Sequence, residues 1–216
     1  MAVEPFIVLA AQPEPPVEEL ALALAAEFRE IDEAAAIATL DELGAQVAHA
    51  AAGGPLAGID ALREVLGVRY GFRGDGESYD HPLNSMLDVV LERRRGLPIA
   101  LSVVYVGAAR RAGIALHGVG LPGHYVVGDF SAGPPRLADP CAGGTPIEAE
   151  SPRDVRPWGP HETALRMLNN LVASYGRRAD LVRTIQAAEL RLALPLQPPL
   201  AEAMRVELGA LRARLN

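Results

Sequence analysis

A histidine and an aspartate in the second half of the chain have the residue types of a general base and the acid that orients it. His124 follows Pro122-Gly123, and Asp139 precedes Pro140. In a nucleophilic site, such a histidine takes the proton of the nucleophile and the aspartate holds the histidine ring. The start of a buried helix is a favourable place for the nucleophile, because the helix N-terminus lowers a thiol pKa. The chain has these elements in a suitable order: a helix that begins near residues 96–98, a strand with the histidine and a strand with the aspartate. This order is compatible with acyl-transfer or hydrolytic chemistry.

The composition excludes several other kinds of chemistry. The chain has 216 residues, a single cysteine (Cys141) and no lysine, so all 20 basic residues are arginine. Internal disulfides, cysteine-based zinc clusters, Schiff-base lysines and a P-loop lysine are therefore excluded. The formal net charge of −7 argues against a general nucleic-acid binder. The other histidines, among them His81, His117 and His161, lack ligand-like spacing to His124, so we expect no metal and no cofactor.

The apolar runs and the charges bear on location and packing. Charged residues interrupt every apolar run well before the ~18 residues of a membrane span, and Glu4 and Pro5 lie where a signal peptide would carry basic residues. We therefore expect a cytoplasmic protein with no membrane partner. Residues 1–50 contain ten acids and one arginine, a net charge of −9. Solvated helix faces are the simplest explanation, and docking of this acidic end on the arginine-rich end of the chain is a second one.

The periodicity of apolar residues predicts helices in the first part of the chain, to about residue 57. Gly53-Gly54-Pro55 is expected to end the last of them. A short helix is predicted around Ile59–Leu66, followed by a glycine-rich loop over residues 70–79. Asp80 is a suitable N-cap for a further helix through Arg93-Arg94-Arg95, which Gly96 would end.

The middle of the chain changes from helix to strand. A helix starting at Pro98 is apolar on nearly all sides to Gly113, which predicts a central, buried position. Two strands over residues 115–121 and 124–130 are predicted to meet at a Pro122-Gly123 turn, followed by strands over 135–139 and 145–148. Three amphipathic helices follow from residue 159, without a readable 34-residue repeat.

Several motifs together resemble one bacterial family. They are Asp80-His-Pro-Leu-Asn-Ser-Met-Leu87, Arg93-Arg-Arg-Gly-Leu-Pro-Ile-Ala-Leu-Ser102, Gly118-Val-Gly-Leu-Pro-Gly-His-Tyr125, Asp139-Pro140, and Leu165-Arg-Met-Leu-Asn-Asn-Leu171 with Tyr175. This combination resembles the SirB-type transglutaminase-like family, most strongly over residues 70–140. The resemblance implies an α+β protein with a transglutaminase-like (papain-like) core, built from a buried central helix and a small antiparallel sheet. The periodicities and breakers divide the chain into three parts, namely N-terminal helices (1–57), the core (58–158) and a helical tail (159–216), and the resemblance implies that the tail is tetratricopeptide-like.

The resemblance also implies what the site lacks. Catalytic members open the central helix with Gly-x-Cys, whereas this chain has Gly96-Leu97-Pro98, so Pro98 occupies the position of the nucleophile. His124 and Asp139 match the other two triad members. The site then resembles a triad without its nucleophile.

Other side chains are candidates for binding or for replacing the thiol. Ser102 is one turn beyond Pro98, a displacement of ~6 Å that does not reproduce the thiol geometry; a hydrogen bond to a backbone carbonyl is the simpler role. Cys141 follows Asp139 closely, and we expect a packed, inert thiol. Asn84 and Tyr125 complete the predicted binding residues. Ser85 matches the family string but belongs to another helix.

Three functional hypotheses follow. The first is a non-catalytic transglutaminase-like protein that binds a protein or peptide partner, in a regulatory or scaffolding role. The second is an amidase, peptidase or acyltransferase that uses His124 and Asp139 with a non-standard nucleophile. The third is a helical interaction module in which the sheet is only a support; a polar cleft centred on His124 would argue against it. The sequence leaves the oligomeric state and the partner open.

Overall fold

The computed structural model describes residues 3–52, 58–148 and 155–215 and has a mixed helical and sheet architecture. The predicted end of the N-terminal helices at Gly53-Gly54-Pro55 lies outside the described residues. The α-helices are α1 Phe6–Ala10, α2 Val17–Ala26, α3 Glu33–Ala52, α4 Ile59–Leu62, α5 Leu87–Arg93, α6 Pro98–Arg111, α7 Pro160–Arg177, α8 Leu181–Arg191 and α9 Pro198–Ala213.

Helix α6 is the centre of the core, as its all-round apolar pattern predicts. It begins at Pro98, a first-turn position where the missing N–H of proline costs no helical hydrogen bond. Every residue from Pro98 to Ala109 except Val106 is buried. Helices α2, α3 and α5 and the sheet pack around it. Gly44 of α3 allows the closest approach, since a Cβ there would lie 2.3 Å from Cβ of Arg111.

The predicted small antiparallel sheet is present and covers one side of α6. Its strands are β3 His117–Leu121, β4 His124–Asp129, β5 Arg136–Asp139 and β6 Thr145–Ile147, in the order β3-β4-β5-β6. β3 and β4 are joined at Pro122-Gly123, where Gly123 has a φ of +70° that glycine adopts readily. A separate pair, β1 Arg73–Gly74 and β2 Arg95–Gly96, is parallel and ties the glycine-rich loop to the start of α6.

Two local predictions before α6 are wrong. Asp80 does not cap a helix: a 3₁₀ turn spans Pro82–Ser85, and His81 is its N-cap, with Nδ1 accepting a hydrogen bond from the Leu83 N–H. α5 then ends at Arg93, before Gly96, because Arg94 adopts the left-handed conformation and Arg95 joins β2. The short helix after Ile59 continues as a π-helical segment, Arg63–Arg69.

A buried glutamate explains part of the negative charge of the first 50 residues. Glu18 of α2 has no exposed surface, and its Oε1 accepts hydrogen bonds from Arg110 (2.8 and 2.6 Å) and Arg111 (2.7 Å) at the end of α6. Arg111 also binds Asp41 of α3. Acids of the N-terminal helices thus pair with arginines of the central helix.

Replacing Glu18 with alanine is expected to lower the free energy of unfolding by ~3 kcal/mol, because it removes the buried carboxylate that Arg110 and Arg111 share and leaves Arg111 only the exposed carboxylate of Asp41. Urea unfolding followed by circular dichroism measures this change. Glu19→Ala is the matched control: Glu19 is partly exposed and 3.6 Å from Arg110, so a loss below about 1 kcal/mol is expected. Equal losses for the two variants would contradict a special role for the buried carboxylate.

Candidate functional site

The structure brings His124 and Asp139 together at one end of the sheet. His124 is the first residue of β4 and Asp139 the last of β5. The register pairs Val127 with Ala138, so Asp139 is opposite position 126, on the same face as His124. His124 Nε2 lies 3.0 Å from Asp139 Oδ2, within ion-pairing distance. The histidine side chain is 35% exposed and the aspartate 17%, so the pair is accessible from one side.

The orientation of the Asp139 carboxylate is set by the turn that follows it. Pro140 begins a short 3₁₀ turn, and Asp139 caps this turn by accepting the Cys141 N–H on Oδ1 at 2.8 Å. One carboxylate oxygen is therefore used by the backbone while the other faces His124. An aspartate that orients a histidine typically uses its two carboxylate oxygens in this way.

His124 lines a cleft of about 200 Å³ that also contains the start of α6. Pro98 is the first residue of that helix and forms part of the cleft wall. The helix N-terminus and the histidine therefore face the same space, as a triad requires. The side chain at the helix start, however, carries no nucleophilic atom.

Two further residues line the cleft: Arg166, which sequence reasoning did not single out, and Ser85, which it assigned to another helix. Arg166, on α7, donates a hydrogen bond to the His124 carbonyl oxygen at 3.1 Å. Ser85 is fully buried in the cleft wall, and its Oγ has no hydrogen-bond partner within the described part of the chain. Ser85 and Arg166 both lie in motifs that the family resemblance rests on, and those motifs are the signal that could have found Arg166.

Ser102 and Tyr125 lie farther inside the protein. Ser102 is buried and lines a second, mostly apolar cavity of about 520 Å³ rather than the His124 cleft. No partner for its Oγ is found among the described residues, so the predicted bond to a backbone carbonyl is absent. Tyr125 lies between the two cavities and shares a hydrogen bond of 2.7 Å with Thr163. Burial raises the pKa of Tyr125 to about 12, so it stays neutral.

Asn84 has a structural position beside the cleft. Its Nδ2 donates to Asp75 Oδ2 (3.0 Å) and to the Ser78 carbonyl oxygen (2.7 Å). The backbone carbonyl oxygen of Asn84 accepts a hydrogen bond from the Leu97 N–H at 2.9 Å. Hydrogen bonds from Ser78 and then Asn84 hold the pKa of the Asp75 carboxyl below its usual range. Asn84 thus connects the glycine-rich loop to the start of α6.

The environment of Cys141 makes its thiol unreactive. It is partly buried, and a Cβ added at Gly74 would lie only 3.2 Å from its Sγ. Burial and then the negative charge of Asp139 raise the pKa of the Cys141 thiol to about 12. A thiol with such a pKa is almost entirely protonated at neutral pH and is a poor nucleophile.

In the ranges 3–52, 58–148 and 155–215, no group of three or more His, Cys, Asp or Glu side chains is arranged to hold a metal ion. None of the helices in these ranges combines the length and the apolar character that crossing a membrane requires.

The fold and this site define the class of protein. A model of the transglutaminase-like superfamily matches residues 34–184, most of the chain, and the chain belongs to this superfamily. Among curated proteins it is similar to a UPF0162 protein of Xylella fastidiosa, with 36% identity over 165 residues, 67% of this chain and 58% of that protein. A UPF0162 protein of Pseudomonas aeruginosa is 34% identical over 139 residues, 62% of this chain and 49% of that protein.

A eukaryotic protein shares a shorter region. Mouse F-box only protein 21 is 36% identical over 69 residues, which is 32% of this chain and 11% of that protein. The chain therefore spans 58% or less of the length of these relatives. No solved structure matches the chain.

Proposed function

We propose that this protein is a non-catalytic transglutaminase-like protein that binds a segment of a protein or peptide partner in the His124 cleft. One observation carries the proposal: Pro98, which has no nucleophilic atom, is at the helix N-terminus that shares the cleft with His124. The paired His124 and Asp139 remain suited to hold a polar peptide group. A polar cleft around His124 also argues against a purely helical interaction module.

The purified protein is expected to release neither ammonia from peptide glutamines nor amine from peptide amides, with His124→Ala giving the same result. An active transglutaminase assayed in parallel provides the positive control. Turnover by the wild-type protein that His124→Ala abolishes would overturn the proposal, because it would require a working nucleophile in the cleft.

Binding in the cleft is tested with an array of random-sequence peptides. Ala173 is exposed on α7 and lines the cleft, so Ala173→Trp fills the space without disturbing the core. We expect this variant to lose the peptides that the wild-type protein retains. Ala203→Trp, at an exposed position of α9, is the matched control and is expected to retain them. Identical retention by both variants would place binding outside the cleft.

A second candidate function is an amidase, peptidase or acyltransferase that uses the His124–Asp139 pair. The observation in its favour is the buried, unpartnered Ser85 hydroxyl in the wall of the same cleft. This alternative predicts amide turnover that Ser85→Ala and His124→Ala both abolish.

The proposal also covers the arrangement of the core, the role of the last three helices and the location of the protein. We propose a papain-like arrangement of the core over residues 58–158, a tetratricopeptide-like role for α7–α9 as a tail, and a cytoplasmic location. The packing of α7 on α8 and of α8 on α9 supports a continuous helical tail.

A further inference from the structure

Arg166 is held firmly in the cleft wall by its neighbours. Its guanidinium lies 5.6 Å from the ring centroid of Tyr125 and 5.8 Å from that of Trp158, and it donates one hydrogen bond to the His124 carbonyl oxygen. Stacking on aromatic rings is a geometry in which arginine keeps its donor edge free. These contacts place the Arg166 guanidinium in the wall of the cleft.

The donors of Arg166 are largely unused. A guanidinium has five N–H donors, and one hydrogen bond is formed with the described residues. No carboxylate within residues 3–52, 58–148 and 155–215 forms an ion pair with it. Arg177, the other arginine of the cleft, differs because Asp80 neutralises it at 2.7 Å. The cleft thus retains one arginine charge that the described part of the protein does not balance.

Ser85 points to a ligand independently of this charge. Its side chain is completely buried, it lines the cleft, and its Oγ has no partner in the described part of the molecule. A buried hydroxyl without a partner costs free energy, which a bound acceptor would recover. The first residues of α6, Pro98 and Ile99, line the same cleft, and a helix N-terminus favours an acceptor.

From these observations we propose that the cleft binds a carboxylate group of a peptide, with Arg166 as its principal binding residue and Ser85 as a second donor. The inference rests on the proposed function and names the chemistry of the ligand. A carboxylate accepts two parallel hydrogen bonds from a guanidinium, which is the arrangement that a fixed, unpaired arginine favours. The volume of about 200 Å³ is below the ~300–1,000 Å³ of typical small-molecule sites, so it suits one residue of a chain rather than a whole cofactor.

The carboxylate can be a chain terminus or an acidic side chain, and three capped tripeptides separate the two. They are acetyl-Ala-Ala-Ala with a free carboxylate, the same peptide as an amide, and the amide acetyl-Ala-Glu-Ala. Trp158 is the only tryptophan of the chain and contacts Arg166, so its fluorescence reports binding directly. Titrations at low salt are expected to show at least one carboxylate peptide binding ~10-fold or more tightly than the neutral amide. The peptide that binds identifies the source of the carboxylate.

Variants of Arg166 test the residue itself. Arg166→Gln is expected to abolish the preference for the carboxylate, and Arg166→Lys to retain part of it, because lysine keeps the charge without the planar fork. Arg205→Gln, on the exposed face of α9, is the matched control and should behave as wild type. Circular dichroism melting shows whether each variant is folded.

The outcomes separate this inference from the proposed function. Equal affinity for all three peptides, or a carboxylate preference that survives in folded Arg166→Gln, would overturn the inference while leaving peptide binding intact. Failure of all three peptides to bind would also overturn it, and the proposed function would still be decided by the random-peptide array and Ala173→Trp.

Discussion

Replacing Pro98 with cysteine is expected to create a thiol that iodoacetamide alkylates at least ~100-fold faster than Cys141 at pH 8. The introduced thiol would be at the N-terminus of α6 and in the cleft with His124, and both features lower a thiol pKa below the ~8.5 of free cysteine. The pKa of Cys141 is raised to about 12 by burial and by Asp139, so this thiol is almost entirely protonated at this pH. Cys141 therefore provides an internal reference within the same molecule.

The experiment has controls on both the helix and the histidine. Mass spectrometry of the two cysteine peptides over time measures both rates. Ser102→Cys, one turn along the buried helix, is expected to react slowly because position 102 does not line the His124 cleft. Adding His124→Ala to Pro98→Cys should slow alkylation if the ring helps to ionise the thiol. Equal rates at positions 98 and 141 would show that Pro98 does not occupy a nucleophile position.

Replacing Gly67 with alanine is expected to lower the free energy of unfolding by about 3 kcal/mol. Gly67 lies in the π-helical segment, where an added Cβ would be 1.8 Å from the carbonyl oxygen of Gly143 and 2.6 Å from its carbonyl carbon. Both atoms belong to the backbone, so no side-chain rotation relieves the overlap. Gly143 follows the 3₁₀ turn that Asp139 caps, and the displacement should therefore reach the site.

Urea unfolding measures the stability change, and the NMR resonances of the His124 ring report any displacement of Asp139. Gly209→Ala is the matched control. Position 209 is exposed in the interior of α9 with no atom within 4 Å of an added Cβ, so this change should raise stability by ~0.5–1 kcal/mol. A Gly67→Ala protein that unfolds at the wild-type urea concentration would contradict the close approach of the two segments.

Local patterns predicted the elements of the core well, because their signals act over short distances. The continuous apolar surface and first-turn proline of α6 and the alternating strands around Pro122-Gly123 all correspond to observed elements. The segment before α6 did not follow its local signals. Asp80 was a suitable N-cap by type, yet its side chain pairs with Arg177 of α7, and tertiary contacts outweigh the local preference.

The sequence did not predict which acidic residue near the N-terminus is buried or which arginines it binds. The excess of acids near the N-terminus is visible in the sequence, but which carboxylate is buried depends on how α2 packs against α6, 92 residues away along the chain. Ser102, similarly, is on the helix that the sequence predicts, but the face of α6 that meets the His124 cleft is set by the sheet and α7. Ser102 consequently lines a different cavity.

The sequence by itself determined the residue types of the site: a histidine and an aspartate on successive strands, and a proline at the start of the buried helix. These follow from covalent order and from periodicities of two and 3.6 residues. Only the tertiary structure decided that His124 and Asp139 are 3.0 Å apart and that Arg166 and Ser85 line the same cleft as His124 and Pro98. The physical reason is that strand register and helix packing bring together residues from distant parts of the chain, and no local propensity encodes which donors remain unpaired there.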